Sequence, residues 1–427
     1  YLDLVPLKYS GLTYTEIWLS ESQERMVLAA PRGSVDELVS LFAGEDVEAT
    51  VIGEFTNNRH LQLFYQGNLV SDLDMEFLHN GLPQLRREAI WERPQHSEPD
   101  FPEPHDLGDD LFGILGSPNV CSKESVIRQY DHEVQGASIL KPLVGIENDG
   151  PSDAAIVKPI PDSERGVIVS NGINPKYGDI DPYWMAASAI DEALRQVIAV
   201  GGDLGRVALL DNFCWGNPDK PDRLGALVRA AEACHDIAIS YETPFISGKD
   251  SLYNEYEAEG KTICIPHTLL ISALAVMEDV NRAVSMDSKR EGDLLYIVGT
   301  TWNELGGSHY YGIHGFIGNN VPKVDPRRGR ELMDRLSRAI GKGLVRACHD
   351  LSEGGIGVAA AEMAFAGGLG MAIDLERVPL GEPINRSDFV LFSESNTRFL
   401  VEVAPEDRHE FESMMAGVDF AAIGRGE

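Results

Sequence analysis

The chain has 427 residues, enough for about three domains, and its balance of 43% hydrophobic and 24% charged residues excludes a disordered polypeptide. A formal net charge of −32 excludes a phosphate-backbone binder, which needs a basic footprint, so no nucleic-acid partner is expected. No apolar run reaches the roughly 18–20 residues of a membrane span, so no membrane partner is expected either.

In chain order, residues 1–91 read as the remainder of an α+β domain. A strand, ERMVLAAP (24–31), leads into a helix, SVDELVSLFAG (34–44), with Ser34 as N-cap. Two further strand signals follow, EATVIGEF (48–55) and LQLFYQGNLV (61–70). Residues 92–125 form a linker. Pro94, Pro99, Pro102 and Pro104 prevent regular structure over 92–107, which reads as an extended spacer.

Residues 126–285 carry strand RGVIVSNG (165–172), then helix PYWMAASAIDEALRQVIAV (182–200), closed by Gly201-Gly202. Met185, Ala189, Ala193 and Val197 recur at spacing four and mark its inward face. Strand RVALLDNF, helix RLGALVRAAEACHDIAISY, strand PFISG and strand TLLISALAVME follow. Residues 286–427 begin with strand DLLYIVGTT and continue with helix RRGRELMDRLSRAIGKG, strand LVRACHD, a helix at 355–366 and strand MAIDLERV. Alternating strands and helices put the chain in the α/β and α+β classes.

One octet is written nearly twice, LSESQERM at 19–26 and FSESNTRF at 392–399, at an offset of 392 − 19 = 373. The offset also carries Val5-Pro6-Leu7 onto Val378-Pro379-Leu380 and Arg25 onto Arg398. So long a spacing implies duplication of a multi-domain unit with an incomplete first copy, hence a chain that is part of a longer protein. The repeat predicts one strand–turn–strand path for 2–30 and 375–403.

Three segments after apolar strands collect small and polar residues: LLDNFCWGNPD (209–219), FISGKDSLYNEY (245–256) and CHDLSEGG (348–355). They read as loops in which Gly248 lets the backbone approach a phosphate, Asp211 and Asp250 hold Mg²⁺ on a nucleotide, and Lys249 neutralises phosphate charge. No GxxxxGK[ST] and no GxGxxG occurs. The five cysteines contain no CxxC, so neither a zinc ribbon nor a disulfide framework is expected, and a reducing cytoplasm is the expected compartment. Cys348 and Cys214 read as structural. His309, His314 and His349 are too dispersed for a metal centre and read as satisfied or exposed.

LSESQERM, YDHEVQG (130–136), DNFCWGNPDKP (211–221), GKDSLYNEY (248–256) and HDLSEGGIGVAAAEMAF (349–365) together resemble the phosphoribosylformylglycinamidine synthase family, of the aminoimidazole ribonucleotide synthetase-like superfamily. The resemblance implies tandem copies of an N-terminal α/β and a C-terminal α+β domain. On it, 1–91 is what remains of the first C-terminal domain, 126–285 is the second N-terminal domain and 286–427 the second C-terminal domain.

It further implies ATP and Mg²⁺ as cofactors and formylglycinamide ribonucleotide as substrate. The implied partners are a glutaminase subunit or domain that supplies ammonia and the missing N-terminal half of the synthetase. Glu21, Ser22, Gln23 and Ser251 match substrate-binding positions. Asp211 and Gly248 match ATP-contacting ones, and Lys249 stands where many members have a metal-binding Asn, so the metal ligands are unassigned. The catalytic histidine and main metal carboxylates of the family belong to the missing half, which leaves no catalytic residue here and an inactive chain on its own. Two alternatives stay open: a structural half whose pseudo-symmetric site holds a nucleotide without turnover, and another ATP-dependent enzyme of the superfamily.

Overall fold

The structure, a computed structural model, describes residues 1–22 and 25–427. The chain forms two compact units, Tyr1–Arg86 and Arg87–Glu427.

The first unit contains helices α1 (Tyr14–Leu19) and α2 (Val35–Gly44) and a hairpin of β1 (His60–Tyr65) and β2 (Asn68–Asp74). Its core is small: Leu2, Ile17 and Leu63, with Val5, Leu12 and Val70 around them. The stretch 61–70, read as one strand, bends because Gln66 and Gly67 both take positive φ (49° and 74°), the geometry of a two-residue hairpin turn. Ser34 does occupy the N-cap of α2, but its side chain makes no capping hydrogen bond.

The second unit is built on two sheets. The first runs through β3 (Ser138–Leu140), β4 (Ala155–Val157), β5 (Gly166–Ile173), β6 (Val207–Cys214), β7 (Phe245–Ser251) and β8 (Thr268–Met277). Their order is β3-β4-β5-β8-β6-β7, antiparallel except for the parallel pair β6–β7. Helices α3 (Pro182–Ala199) and α4 (Pro221–Tyr241) pack together, with α3 against β5 and β8. Met185, Ala189, Ala193 and Val197 are fully buried, as their spacing predicts.

The second sheet contains β9 (Leu294–Val298), β10 (Ala347–Asp350), β11 (Met371–Ile373), β12 (Phe399–Val403) and β13 (Phe420–Gly426). It is antiparallel throughout, in the order β10-β12-β9-β13-β11. Helices α5 (Pro326–Gly341), α6 (Gly355–Gly367), α7 (Ser387–Phe392) and α8 (Arg408–Met415) complete it.

The repeat takes a different local form from the expected strand–turn–strand path. Both copies begin with a 3₁₀ turn, Leu2–Leu4 and Leu375–Arg377 (375 − 2 = 373), and continue with α1 and α7 (387 − 14 = 373). A second 3₁₀ turn, Arg32–Ser34 and Pro405–Asp407, and the starts of α2 and α8 repeat at the same offset (405 − 32 and 408 − 35). Even single contacts recur: Arg25 Nη2 donates to the Ser20 carbonyl at 2.6 Å, and Arg398 Nη2 to the Ser393 carbonyl at 2.6 Å. A helix in either segment contradicts the strand–turn–strand path on which the duplication was to be judged; the support for duplication comes instead from helices that match at one offset.

The proline-rich stretch 92–107 has no helix or strand but is not a free spacer. Asn319 clamps His96 through its backbone, accepting from the His96 N–H at 2.8 Å and donating to its carbonyl at 2.8 Å. Phe101 stacks on His314 at 4.2 Å and lies 4.9 Å from the Arg386 guanidinium, which also donates to the Phe101 carbonyl. Trp91 lies 4.1 Å under Arg229. Proline removes backbone donors, so side chains of the folded unit supply the anchoring. Removing the clamp with Asn319→Ala should speed amide exchange at His96 about tenfold or more, two lost hydrogen bonds being worth about 1 kcal/mol each, while β6 and β10 keep their protection.

Candidate functional site

Asp211 and Gly248 are register partners on adjacent parallel strands, and Asn212 pairs with Lys249 in the next register. The segments 209–214 and 245–251, expected as loops, are therefore strand. The reason is local: β6 is bordered by β8 on one side and β7 on the other, and the ladder extends through the polar residues to Cys214 and Ser251.

Strand alternation then divides the expected constellation. Asp211, Gly248 and Asp250 share the face that carries the buried Val207 and Leu209. Lys249 and Ser251 share the other face with Asn212, and the Lys249 ammonium donates to the Ser251 hydroxyl. Asp211 and Lys249 are thus neighbours in backbone but opposed in side chain.

Burial raises the Asp211 carboxyl above its ordinary range, and the nearby Asp250 charge adds to the effect. Across from it on α4, burial and the Asp211 charge push the Cys234 thiol up to about 12. A Cβ at Gly248 would collide with the Asp211 carboxylate. The missing side chain at Gly248 thus leaves the room that the Asp211 carboxylate occupies. Two hard oxygen donors on one face suit Mg²⁺, and an exposed ammonium beside a hydroxyl on the other suits a phosphate oxygen.

Glu21 and Ser22 follow α1 in the first unit, Glu21 exposed and Ser22 half-buried. Gln23 lies outside the described residues.

In the second octet every corresponding group is engaged. The buried Glu394 carboxylate accepts from the Tyr177 hydroxyl at 2.7 Å, the His309 N–H at 2.9 Å and the Gly354 N–H at 2.9 Å. Burial alone would raise this carboxyl, but His309 and the other donors hold it below its usual range. Ser395 donates to the Trp302 carbonyl and Asn396 to Ser188 at 2.8 Å. Gly354 and Gly355 both take positive φ (74° and 58°), and a Cβ on Gly355 would strike the Ser393 carbonyl, so SEGG must be glycine for the octet to pack on it.

Sequence reasoning missed a polar network beneath CHDLSEGG. Buried Arg195 donates to Asp191, to Asp350 at 3.2 Å, to Ser352 at 3.0 Å and to Asn396 at 3.0 Å. His349 Nδ1 lies 2.7 Å from Asp153 and Nε2 3.0 Å from Glu362. Burial alone would lower the His349 pKa; the charges and hydrogen bonds of Asp153 and Glu362 outweigh it and hold it well above 6.5. Ligand atoms of Asp153, His349 and Asp350 lie within 4.8 Å of one another, so His349, read as too dispersed for a metal centre, stands in a buried three-residue cluster. Both its ring nitrogens have carboxylate partners, and Cys348, its thiol raised by burial, is core. Only the four-residue spacing of Asp191 and Arg195 could have signalled the network beforehand.

Residues 151–268 match the N-terminal domain of AIR synthase related protein, and residues 1–66 and 290–426 match its C-terminal domain. The chain is 36% identical over 417 residues to phosphoribosylformylglycinamidine synthase subunit PurL of Ignicoccus hospitalis, covering 96% of this chain and 56% of that protein. Against the same subunit of Methanocaldococcus jannaschii it is 35% identical over 422 residues, covering 97% and 56%. The chain spans about half the length of the curated relatives it matches. Among solved structures, Thermotoga maritima PurL complexed with FGAR superposes with a TM-score of 0.57 at 20% identity, covering 76% of this chain and 50% of that one. The same organism's PurL complexed with ATP gives 0.55 at 20% identity, covering 76% and 48%.

Two outcomes follow from the geometry. Gly248→Val should lower stability by about 1–3 kcal/mol through overpacking, and less in an Asp211→Ala background, so a urea-unfolding double-mutant cycle should be non-additive. A raised His349 pKa contributes stability that is fully present below about pH 6.5 and lost as pH rises through the folded value. The stability gap between the native chain and His349→Gln should therefore narrow as pH rises above about 6.5.

Proposed function

This chain belongs to the AIR synthase related family, and on that premise we propose that it is part of a synthetase converting formylglycinamide ribonucleotide to formylglycinamidine ribonucleotide. The observation that carries the reading is the match along some 96% of the chain to PurL subunits. The Asp211–Gly248 pairing supports it by gathering candidate nucleotide residues on two adjacent strands.

An amide oxygen is a poor leaving group. ATP with Mg²⁺ supplies a phosphoryl group that makes it a good one, and ammonia then displaces phosphate to give the amidine. Protein groups serve such a step by orientation and charge neutralisation more than by covalent chemistry. On this reading Asp211 and Asp250 hold Mg²⁺. Lys249, which cannot ligate a metal while charged, neutralises phosphate, and Ser251 positions it against substrate. Glu21, Ser22 and Gln23 bind substrate. No residue of this chain is proposed as catalytic. Partners are a glutaminase subunit or domain that delivers ammonia and a polypeptide carrying the first N-terminal domain; the compartment is the cytoplasm.

A second reading, a half that contributes no substrate site from its second copy, is favoured for that copy alone by the complete engagement of Glu394, Ser395 and Asn396.

The chain by itself should form no amidine from ATP, ammonia and formylglycinamide ribonucleotide. Mixed with a polypeptide supplying the first N-terminal domain, it should form amidine, with kcat/KM reduced about ten- to a hundredfold by Ser22→Ala or Ser251→Ala, the loss of a hydrogen bond to a charged ligand costing about 1.5–3 kcal/mol. Turnover by the chain alone, or unchanged kcat/KM in both variants, would contradict the proposal.

A further inference from the structure

Of the segment GKDSLYNEY, the proposed reaction uses Lys249, Asp250 and Ser251 and leaves Glu255 without a part. Glu255 opens a two-stranded hairpin, Glu255–Ala258 against Lys261–Cys264, which forms a sheet of its own. Every residue of that hairpin is exposed or half-buried. Its position is therefore set by polar contacts and not by a share in the apolar core.

Glu255 makes those contacts. Its Oε1 accepts from the Asn217 N–H at 3.0 Å and from the Arg223 guanidinium, and its Oε2 accepts from the Lys220 ammonium at 2.6 Å. One carboxylate thus ties the hairpin to the loop after β6 and to the start of α4. The side chain is only 9% exposed, so these charge-assisted bonds are little shared with water. The Lys220 ammonium first, then the Asn217 N–H, with Arg223 adding to both, hold the carboxyl at about 2, and it stays ionised at neutral pH.

The backbone carries the clamp on to Ser251. The N–H of Trp215, a fully buried residue, donates to the Ser251 carbonyl at 2.8 Å, and the Asn254 N–H donates to the Trp215 carbonyl at 2.9 Å. β7 is the edge strand of its sheet, with β6 beside it, and Ser251 is its last residue. The end of an edge strand frays unless the chain beyond it is held. Lys249 depends on the same end, since its ammonium donates to the Ser251 hydroxyl.

We propose that Glu255 is a positioning residue, a clamp that fixes the end of β7 and so presents the Ser251 hydroxyl and the Lys249 ammonium to the ribonucleotide substrate. The inference rests on the roles given above to Ser251 and Lys249. The Glu255 oxygens are already taken by Asn217, Arg223 and Lys220, so Glu255 acts through its neighbours. Groups held in place before the substrate arrives bind it without a further ordering cost. Releasing them weakens ground state and transition state alike, which raises KM and leaves kcat.

The test is Glu255→Ala in the full chain, read by amide exchange and by turnover. Exchange at the Trp215 and Asn254 amides should quicken at least about tenfold, while the amides of β8 keep their protection and show that the sheet stands. With a polypeptide supplying the first N-terminal domain, KM for formylglycinamide ribonucleotide should rise about tenfold and kcat should stay within about twofold. A merely structural role would do the reverse, lowering kcat through loss of folded enzyme at constant KM. Glu255→Gln, which keeps an acceptor for the Asn217 N–H, should fall between the native chain and Glu255→Ala in both readouts. In a Ser251→Ala background, Glu255→Ala should raise KM by less than about twofold more, because the two residues act as one unit. Unchanged exchange at Trp215 and Asn254 overturns the clamp whatever the turnover. A full effect retained in the Ser251→Ala background, or a fall in kcat at constant KM, overturns positioning through Ser251. Quickened exchange beside a native complex that forms no amidine overturns the proposed reaction and this role within it, which separates failure of that reading from failure of the clamp.

Discussion

The second unit hangs on one buried cation. Arg195, on α3 behind the six-stranded sheet, donates to Asp191 on its own helix, to Asp350 at the end of β10, to Ser352 just beyond and to Asn396 in the second octet. Asp191 in turn accepts from the Tyr241 hydroxyl at the end of α4 and from the Thr397 N–H and hydroxyl. An uncompensated charge in such a place would cost several kcal/mol, so these elements can close only in the arrangement that brings all the partners together. Local charge remains negative even so. Burial first, then the charges of Glu353 and Asp350, raises the Glu192 carboxyl, and burial with the charges of Glu394 and Asp350 raises Glu353 to about 6.

How much of this was legible in the sequence depends on where each element's satisfaction comes from. α3 was readable because its period-four stripe and Asp181-Pro182 start are local. α1 was readable too, but was passed over: Thr13-x-x-Glu16 is a capping box, and both of its hydrogen bonds are made. The apolar run downstream, ERMVLAAP, has strand propensity. Of that run, the described residues 25–31 form no strand, contrary to expectation, because strand formation depends on context that propensity does not carry.

The candidate site was legible in composition and not in direction. Reading LLDNFCWGNPD and FISGKDSLYNEY as loops placed Asp211, Gly248 and Lys249 where all could face one ligand. The ladder that continues to Cys214 and Ser251 imposes alternation, and Asp250 rather than Lys249 becomes the residue that shares a face with Asp211. The Arg195 network was illegible for a different reason. Its members come from 153, 191, 195, 349, 350 and 396, and only folding brings them together.

The two octets, almost the same in sequence, differ in how far their described polar groups are engaged. A ligand can be recognised only by groups whose hydrogen-bonding capacity is not already spent, because each exchange of an internal partner for a ligand returns little net free energy. In the second copy, Glu394 is held by three donors, Ser395 is fully buried, and Asn396 bridges Ser188 and Arg195. Freeing them would strip a partner from buried Tyr177, His309 and Arg195, a cost that a ligand would have to offset. In the first copy Glu21 stands exposed. Internal satisfaction thus makes the second octet a joint, and through Asn396 that joint helps to hold Arg195 in place.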